Sequence, residues 1–167
     1  MTLEEAINTA IEYEIRIRDL YREAAGAVAD ESGRRMLDML AADEESHVAF
    51  LEHCLRSWKE TGQVTADGLT PVIPSPERID QHVRGLRPAM TKKSLGDDKQ
   101  LLSRALALEI ETSAFYEKMT GEMDGPGRDL FGRFLDIENG HIAAVQAELD
   151  YMSQTGYWFD FQEFDME

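Results

Sequence analysis

The sequence predicts an all-α protein, an antiparallel four-helix bundle with one long crossover connection. Three observations predict it. Apolar residues recur at three- and four-residue steps over four long segments, with no sustained two-residue alternation. A stretch rich in glycine and proline divides those segments into two pairs. The two pairs repeat one another in the polar residues they carry.

The first helix is predicted over about 3–29, with Thr2 as N-cap and Glu5 closing a capping box. The second runs over about 33–60 and stops before Gly62, with Met36, Leu37, Leu40, Leu51, Leu55 and Trp58 on one face. Residues 61–96 carry Gly62, Gly68, Pro71, Pro74, Pro76, Gly85, Pro88 and Gly96 and read as a connection. One short helix within it starts at SPER, with Ser75 as cap and Pro76 in the first turn. A link of this length far exceeds a tight helix–helix turn and suits a crossing of the bundle's full length. The third helix spans about 97–122, and the fourth about 127–155, ending at Gly156. The tail, 157–167, mixes aromatic and acidic residues, and Trp158 and Phe161 are expected to pack on the bundle or on a second subunit. The 167 residues thus form one domain: a helical hairpin over 1–60, a crossover over 61–96, a second hairpin over 97–156 and the tail.

Composition narrows the function. With 17 Lys and Arg against 33 Asp and Glu, the formal charge is -16, which repels nucleic acid and anionic membranes and attracts cations. After Arg133 eight acidic residues follow and no Lys or Arg. No apolar run reaches the length of a membrane span. The acidic N-terminus lacks the features of a secretory signal, so a cytoplasmic location is expected. The single cysteine, Cys54, permits neither an internal disulfide nor a Cys-x-x-Cys metal site and is expected to be buried and inert.

The chemistry lies in the repeat. Glu14 is followed seven residues on by Tyr21, and Glu109 seven residues on by Tyr116, which returns each tyrosine to its glutamate's face. The second helix carries Glu44-x-x-His47 and the fourth Glu138-x-x-His141. Glu14 and Glu44 are 30 residues apart with their midpoint at residue 29, inside AVADESG; Glu109 and Glu138 are 29 apart with theirs inside GEMDGPG. Each hairpin therefore holds its two glutamates level. Each glutamate also sits where an apolar residue is due: between Ala10 and Ile17, between Leu40 and Leu51, between Ala105 and Tyr116, and between Phe134 and Val145. Glu12, Glu45 and Glu111 point elsewhere, into solvent. His53 and His82 lack matching partners, and Met36, Met39, Met119 and Met152 read as core filler.

Four buried carboxylates repel one another, and each costs several kcal/mol to bury unpaired. No Lys or Arg shares their faces. Two divalent cations would cancel the charge. Carboxylates with imidazole suit iron or manganese better than zinc. Two glutamates can bridge the metals while each metal keeps one further glutamate and one histidine. Tyr21, Tyr116 and Thr112 are placed to orient the carboxylates.

With these residues the chain resembles the di-iron carboxylate proteins of the ferritin-like superfamily, whose fold is a ferritin-like antiparallel four-helix bundle. Within it the rubrerythrin branch is most similar, because a tyrosine follows the first- and third-helix glutamates in the same way. The resemblance covers about 1–60 and 97–156. Two departures stand out: the rubredoxin-like Cys-x-x-Cys domain of rubrerythrins is absent, and Thr112 stands where they carry an extra ligand glutamate. The symmetric set of six is more similar to a ferritin or bacterioferritin ferroxidase centre. The resemblance implies a homodimeric oxidoreductase with two iron ions that reduces hydrogen peroxide or dioxygen. It implies an external electron donor such as a rubredoxin-like protein. A ferroxidase subunit of an iron-storage assembly and a non-catalytic metal-binding interaction module are the alternative expectations.

Overall fold

The computed structural model describes residues 1–85 and 96–159. Among them are five α-helices and no strand: α1 (Leu3–Ala27), α2 (Glu31–Thr61), α3 (Pro76–Gly85), α4 (Gly96–Glu122) and α5 (Gly125–Thr155). The boundaries follow local chemistry. The Glu5 backbone N–H donates to the Thr2 hydroxyl and the Thr2 N–H to the Glu5 carboxylate, at 3.2 and 2.8 Å, which is the predicted capping box. Helix α2 begins at Glu31 rather than at 33, because Asp30 caps it by accepting from the Gly33 N–H at 3.0 Å. Helix α5 likewise begins two residues early, with a proline in its first turn. Helices α2 and α5 end where Gly62 and Gly156 turn left-handed, at φ of 69° and 75°. Helix α3 is the short predicted helix, with the Arg78 N–H directed at the Ser75 hydroxyl.

Cross-helix pairs fix the directions. Glu4 pairs with Lys59 and Glu14 with His47, so α1 and α2 are antiparallel. Tyr21 donates to Glu109, Tyr116 donates to Glu14, and Arg104 lies near Glu23, so α1 and α4 are antiparallel as well. Ser113 with Asn139 and Tyr116 with Phe131 set α4 against α5 in the same sense. Helices α2 and α4 consequently point the same way, and the link between them must return along the molecule. Its described part does so. Val64 and Leu69 pack into one apolar cluster with Ile7, Leu51 and Phe131, whereas Ile73 and Ile79 pack into another with Leu37, Val145 and Met152. The Arg133 guanidinium donates to the Leu69 carbonyl at 3.1 Å and ties the link to α5.

These two clusters lie at opposite ends of the helices. Along each long helix the polar residues fall between them: Ala10, then Glu14, then Ile17; Leu40, then Glu44 and His47, then Leu51; Ala105, then Glu109, then Tyr116; Ile137, then Glu138 and His141, then Ala144. Cys54, Met36, Met119 and Met152 are buried, Met39 is partly so, and burial pushes the Cys54 thiol up to about 11, which keeps it protonated and unreactive. Glu12, Glu45, Glu111 and His53 are exposed. The His82 side chain and Phe161 lie outside the described residues.

Trp158 closes one end. Its indole N–H donates to Asp98 at 3.0 Å, and its ring covers Gly33 so closely that a β-carbon there would stand 2.7 Å from the ring. Beside it, the Phe159 N–H donates to the buried Glu148 carboxylate at 2.8 Å. Gly33→Ala should therefore lower the melting temperature, since overpacking costs about 1–3 kcal/mol and outweighs the helix propensity gained. Gly26→Ala, with nothing within 4 Å of its added carbon, should not lower it. Thermal unfolding of the two variants makes the comparison.

Candidate metal centre

All six predicted ligands converge in the layer between the clusters. Glu14, Glu44, Glu109 and Glu138 are fully buried, and His47 and His141 are 1% exposed. Their donor atoms form two groups, each within 4.8 Å: Glu14, Glu44, His47 and Glu138, and Glu44, Glu109, Glu138 and His141. Glu44 and Glu138 belong to both. Each group adds one glutamate and one histidine of its own. The imidazole rings lie nearly parallel, with centroids 5.6 Å apart.

Around this set the protein supplies directed hydrogen bonds. Tyr21 donates to Glu109 and Tyr116 to Glu14, so each hairpin's tyrosine holds the other hairpin's glutamate. Thr112, expected beside the carboxylates, is buried but donates to the Leu108 carbonyl of its own helix at 2.8 Å. The sequence reading did not include Asp43. This buried residue lies 2.8 Å from His141 Nε2 and 3.6 Å from His47 Nε2. It thereby faces the far nitrogen of both rings and leaves each Nδ1 toward the glutamates: His47 Nδ1 is 2.9 Å from Glu44 and 3.2 Å from Glu14, and His141 Nδ1 is 2.7 Å from Glu44. The signal for Asp43 was its position one turn before His47, which puts both on one face.

The electrostatics of this layer are severe. Burial pushes the Glu44 carboxyl up to about 8, with Glu14 adding to the rise and His141 opposing it. Burial and the three other glutamates drive Glu138 well above the carboxylate range. For Glu14 burial acts upward too, but hydrogen bonds from His47, Glu44 and Tyr116 outweigh it and hold the group low. The histidines respond in the opposite sense: burial alone would lower them, yet Glu14 and Glu44 bring His47 up to about 10, and Glu44, Glu138 and Glu109 raise His141 strongly. Tyr21 and Tyr116, raised by burial and by the adjacent carboxylates, stay protonated and remain donors.

Several polar atoms here lack an aligned hydrogen bond: both Glu138 oxygens, one oxygen each of Glu44, Glu109 and Asp43, His47 Nε2 and His141 Nδ1, which stands 2.7 Å from Glu44. Buried polar atoms are ordinarily satisfied. The glutamate oxygens and His141 Nδ1 among them belong to one interior group, and oxygen with imidazole nitrogen is a donor set suited to iron or manganese. The buried groups can hold a metal ion.

No family model matches the chain, and no curated protein does. Among solved structures, a hypothetical protein from Pyrococcus furiosus is similar, with 25% identity, a TM-score of 0.64 and 94% of each chain covered. Its description names no activity.

Two outcomes follow from the geometry. Glu44 and His47 hold protons more tightly folded than unfolded, so they favour the metal-free fold at low pH. That contribution is lost as pH rises, between 4.5 and about 8 for Glu44 and between 6.5 and about 10 for His47. The metal-free melting temperature should fall across the upper window, and metal uptake near neutral pH should release protons, which calorimetry in buffers of different ionisation enthalpy reads directly. Asp43→Asn should weaken metal affinity about 10- to 100-fold by loosening the His141 imidazole, measured by competition with a chelator.

Proposed function

We propose that the chain is a ferritin-like four-helix bundle that binds two iron ions between its hairpins and reduces hydrogen peroxide or dioxygen while oxidising Fe(II). The observation that carries this reading is the division of six buried groups into two overlapping sets sharing Glu44 and Glu138. Two divalent ions would match the four carboxylates in charge. In this assignment Glu44 and Glu138 would serve both ions, with Glu14 and His47 completing the set for one and Glu109 and His141 for the other. Manganese satisfies the same donor set. The antiparallel pairs and the returning link support the bundle assignment.

Bound iron would supply one electron per ion to the oxidant. The remaining tasks belong to the chain. Tyr21 and Tyr116 keep Glu109 and Glu14 fixed in direction by donating to one oxygen of each, leaving the other oxygen for the metal. Asp43 holds the His141 imidazole at 2.8 Å and stands 3.6 Å from that of His47. Phe134 stacks its face on Tyr116 and sets its edge against His47, which walls the layer off from water on that side. Peroxidase turnover requires an external electron donor, such as a rubredoxin-like protein, because the one cysteine provides no second iron site. Ferroxidase activity within an iron-storage assembly is the second reading, favoured by the formal charge of -16, which concentrates Fe(II) near the surface. Light scattering separates them: a dimer fits the peroxidase, a cage the store.

Anaerobic Fe(II) titration tests the centre itself. The wild-type chain should bind two ions. Glu44→Ala and Glu138→Ala should each abolish two-ion binding, whereas Glu45→Ala, at an exposed position paired with Arg18 and Arg22, should leave the stoichiometry at two. Equal loss in all three variants, or no binding by the wild type, would overturn the assignment.

A further inference from the structure

A cavity of about 190 Å³ lies between the returning link and α5, and its floor is a metal-centre residue. Pro71, Ile73 and Pro74 form one wall, Ile137 and Gly140 the other, and His141 closes the inner end. Pro71 is exposed and His141 only 1% so, and the cavity therefore opens to solvent beside the link and stops at the imidazole. Its size exceeds the apolar cavity of about 150 Å³ that takes up benzene or xenon.

Gly140 gives the cavity its significance. The residue sits in the interior of α5, where glycine costs about 1 kcal/mol relative to alanine. Its φ is not positive, so the backbone does not require glycine. A β-carbon there would meet nothing within 4 Å, so no close approach requires it either. Gly140 lines the cavity, so a long side chain here is the substitution that can reach into it.

We infer that this cavity, kept open by Gly140, is the route by which a small uncharged oxidant of the peroxide or dioxygen class reaches the His141 side of the centre. The inference rests on the dinuclear reading. The walls favour an uncharged molecule over a cation, since proline and isoleucine carbons cannot replace the water that an ion would shed. Ser75 and Asp136, both exposed, are the polar side chains at the outer part.

The test compares the full chain with Gly140→Ala, Gly140→Leu and, as control, Gly26→Leu, another helical glycine with open space around its added carbon. In metal-free crystals under xenon, the wild type and Gly26→Leu should hold xenon between Ile73 and Ile137, and Gly140→Leu should hold none. In Fe(II)-loaded protein, oxidation by hydrogen peroxide should slow about tenfold in Gly140→Leu, a barrier raised by about 1.4 kcal/mol. Gly140→Ala should slow it less, and Gly26→Leu not at all. The Fe(II) binding rate should be unchanged in all. An unchanged peroxide rate in Gly140→Leu, or Fe(II) binding slowed by the same factor, would overturn the route while leaving the centre standing. A wild type that binds no iron would overturn both, and xenon occupancy would then describe a cavity without that role.

Discussion

The structure depends on the repulsion among four carboxylates enclosed in a helical core. Everything near Glu14, Glu44, Glu109 and Glu138 answers to it. With metal absent, the layer gathers protons: Glu44 and Glu138 hold theirs to unusually high pH and both imidazoles become strong bases. Both oxygens of Glu138 nevertheless lack a hydrogen bond, which buried polar atoms ordinarily have. A core formed for stability alone would carry leucine at these positions, since apolar packing usually equals or exceeds a buried ionic cluster in stability. The retention of charge is what points to a ligand.

That charge can be held only where the surroundings are rigid. The apolar clusters on either side fix the heights of the four helices, and the short turns at 28–30 and 123–124 fix the register within each hairpin. The hairpins are joined across the layer by reciprocal bonds, Tyr21 to Glu109 and Tyr116 to Glu14. Each tyrosine contributes its ring to an apolar cluster and its hydroxyl to the polar layer, so packing and ligand orientation are set by one residue. Displacing one hairpin relative to the other would break both bonds at once.

The helices and the six convergent groups were legible in the sequence because both are periodic. A charged residue on an otherwise apolar stripe is visible at helical spacing, and two such interruptions at matched distances are hard to produce otherwise. Asp43 was not legible in the same way: in the run Asp43-Glu44-Glu45 only one acid was assigned inward, whereas the helix turns two of them into the interior and leaves Glu45 outside. Thr112 shared a face with Glu109, yet a hydroxyl in a helix can bond to the preceding turn, and it does. The start of α2 was set too late because Asp30 as a cap competes with several polar neighbours in the same turn. Glu148 and the stacking of Trp158 on Gly33 depend on where the chain goes after Gly156, which no periodicity encodes.

The internal repeat is symmetric in its ligands and asymmetric in what surrounds them. Aligning Glu44-x-x-His47 with Glu138-x-x-His141 sets Asp43 against Ile137 and Ser46 against Gly140. On the first hairpin these positions are polar: Asp43 is buried and faces both imidazoles, and the exposed Ser46 donates its hydroxyl to the Asp43 carbonyl at 2.6 Å. On the second they are apolar and open, lining the cavity that ends at His141. One aspartate therefore serves two histidines, with a contact of 2.8 Å to His141 and 3.6 Å to His47. The two halves cannot be equivalent, because the side that faces the opening also carries the tighter tether. The repeated hairpin supplies matching ligands, and differences at two positions beside them make the His141 side both the more tightly held and the one next to the cavity.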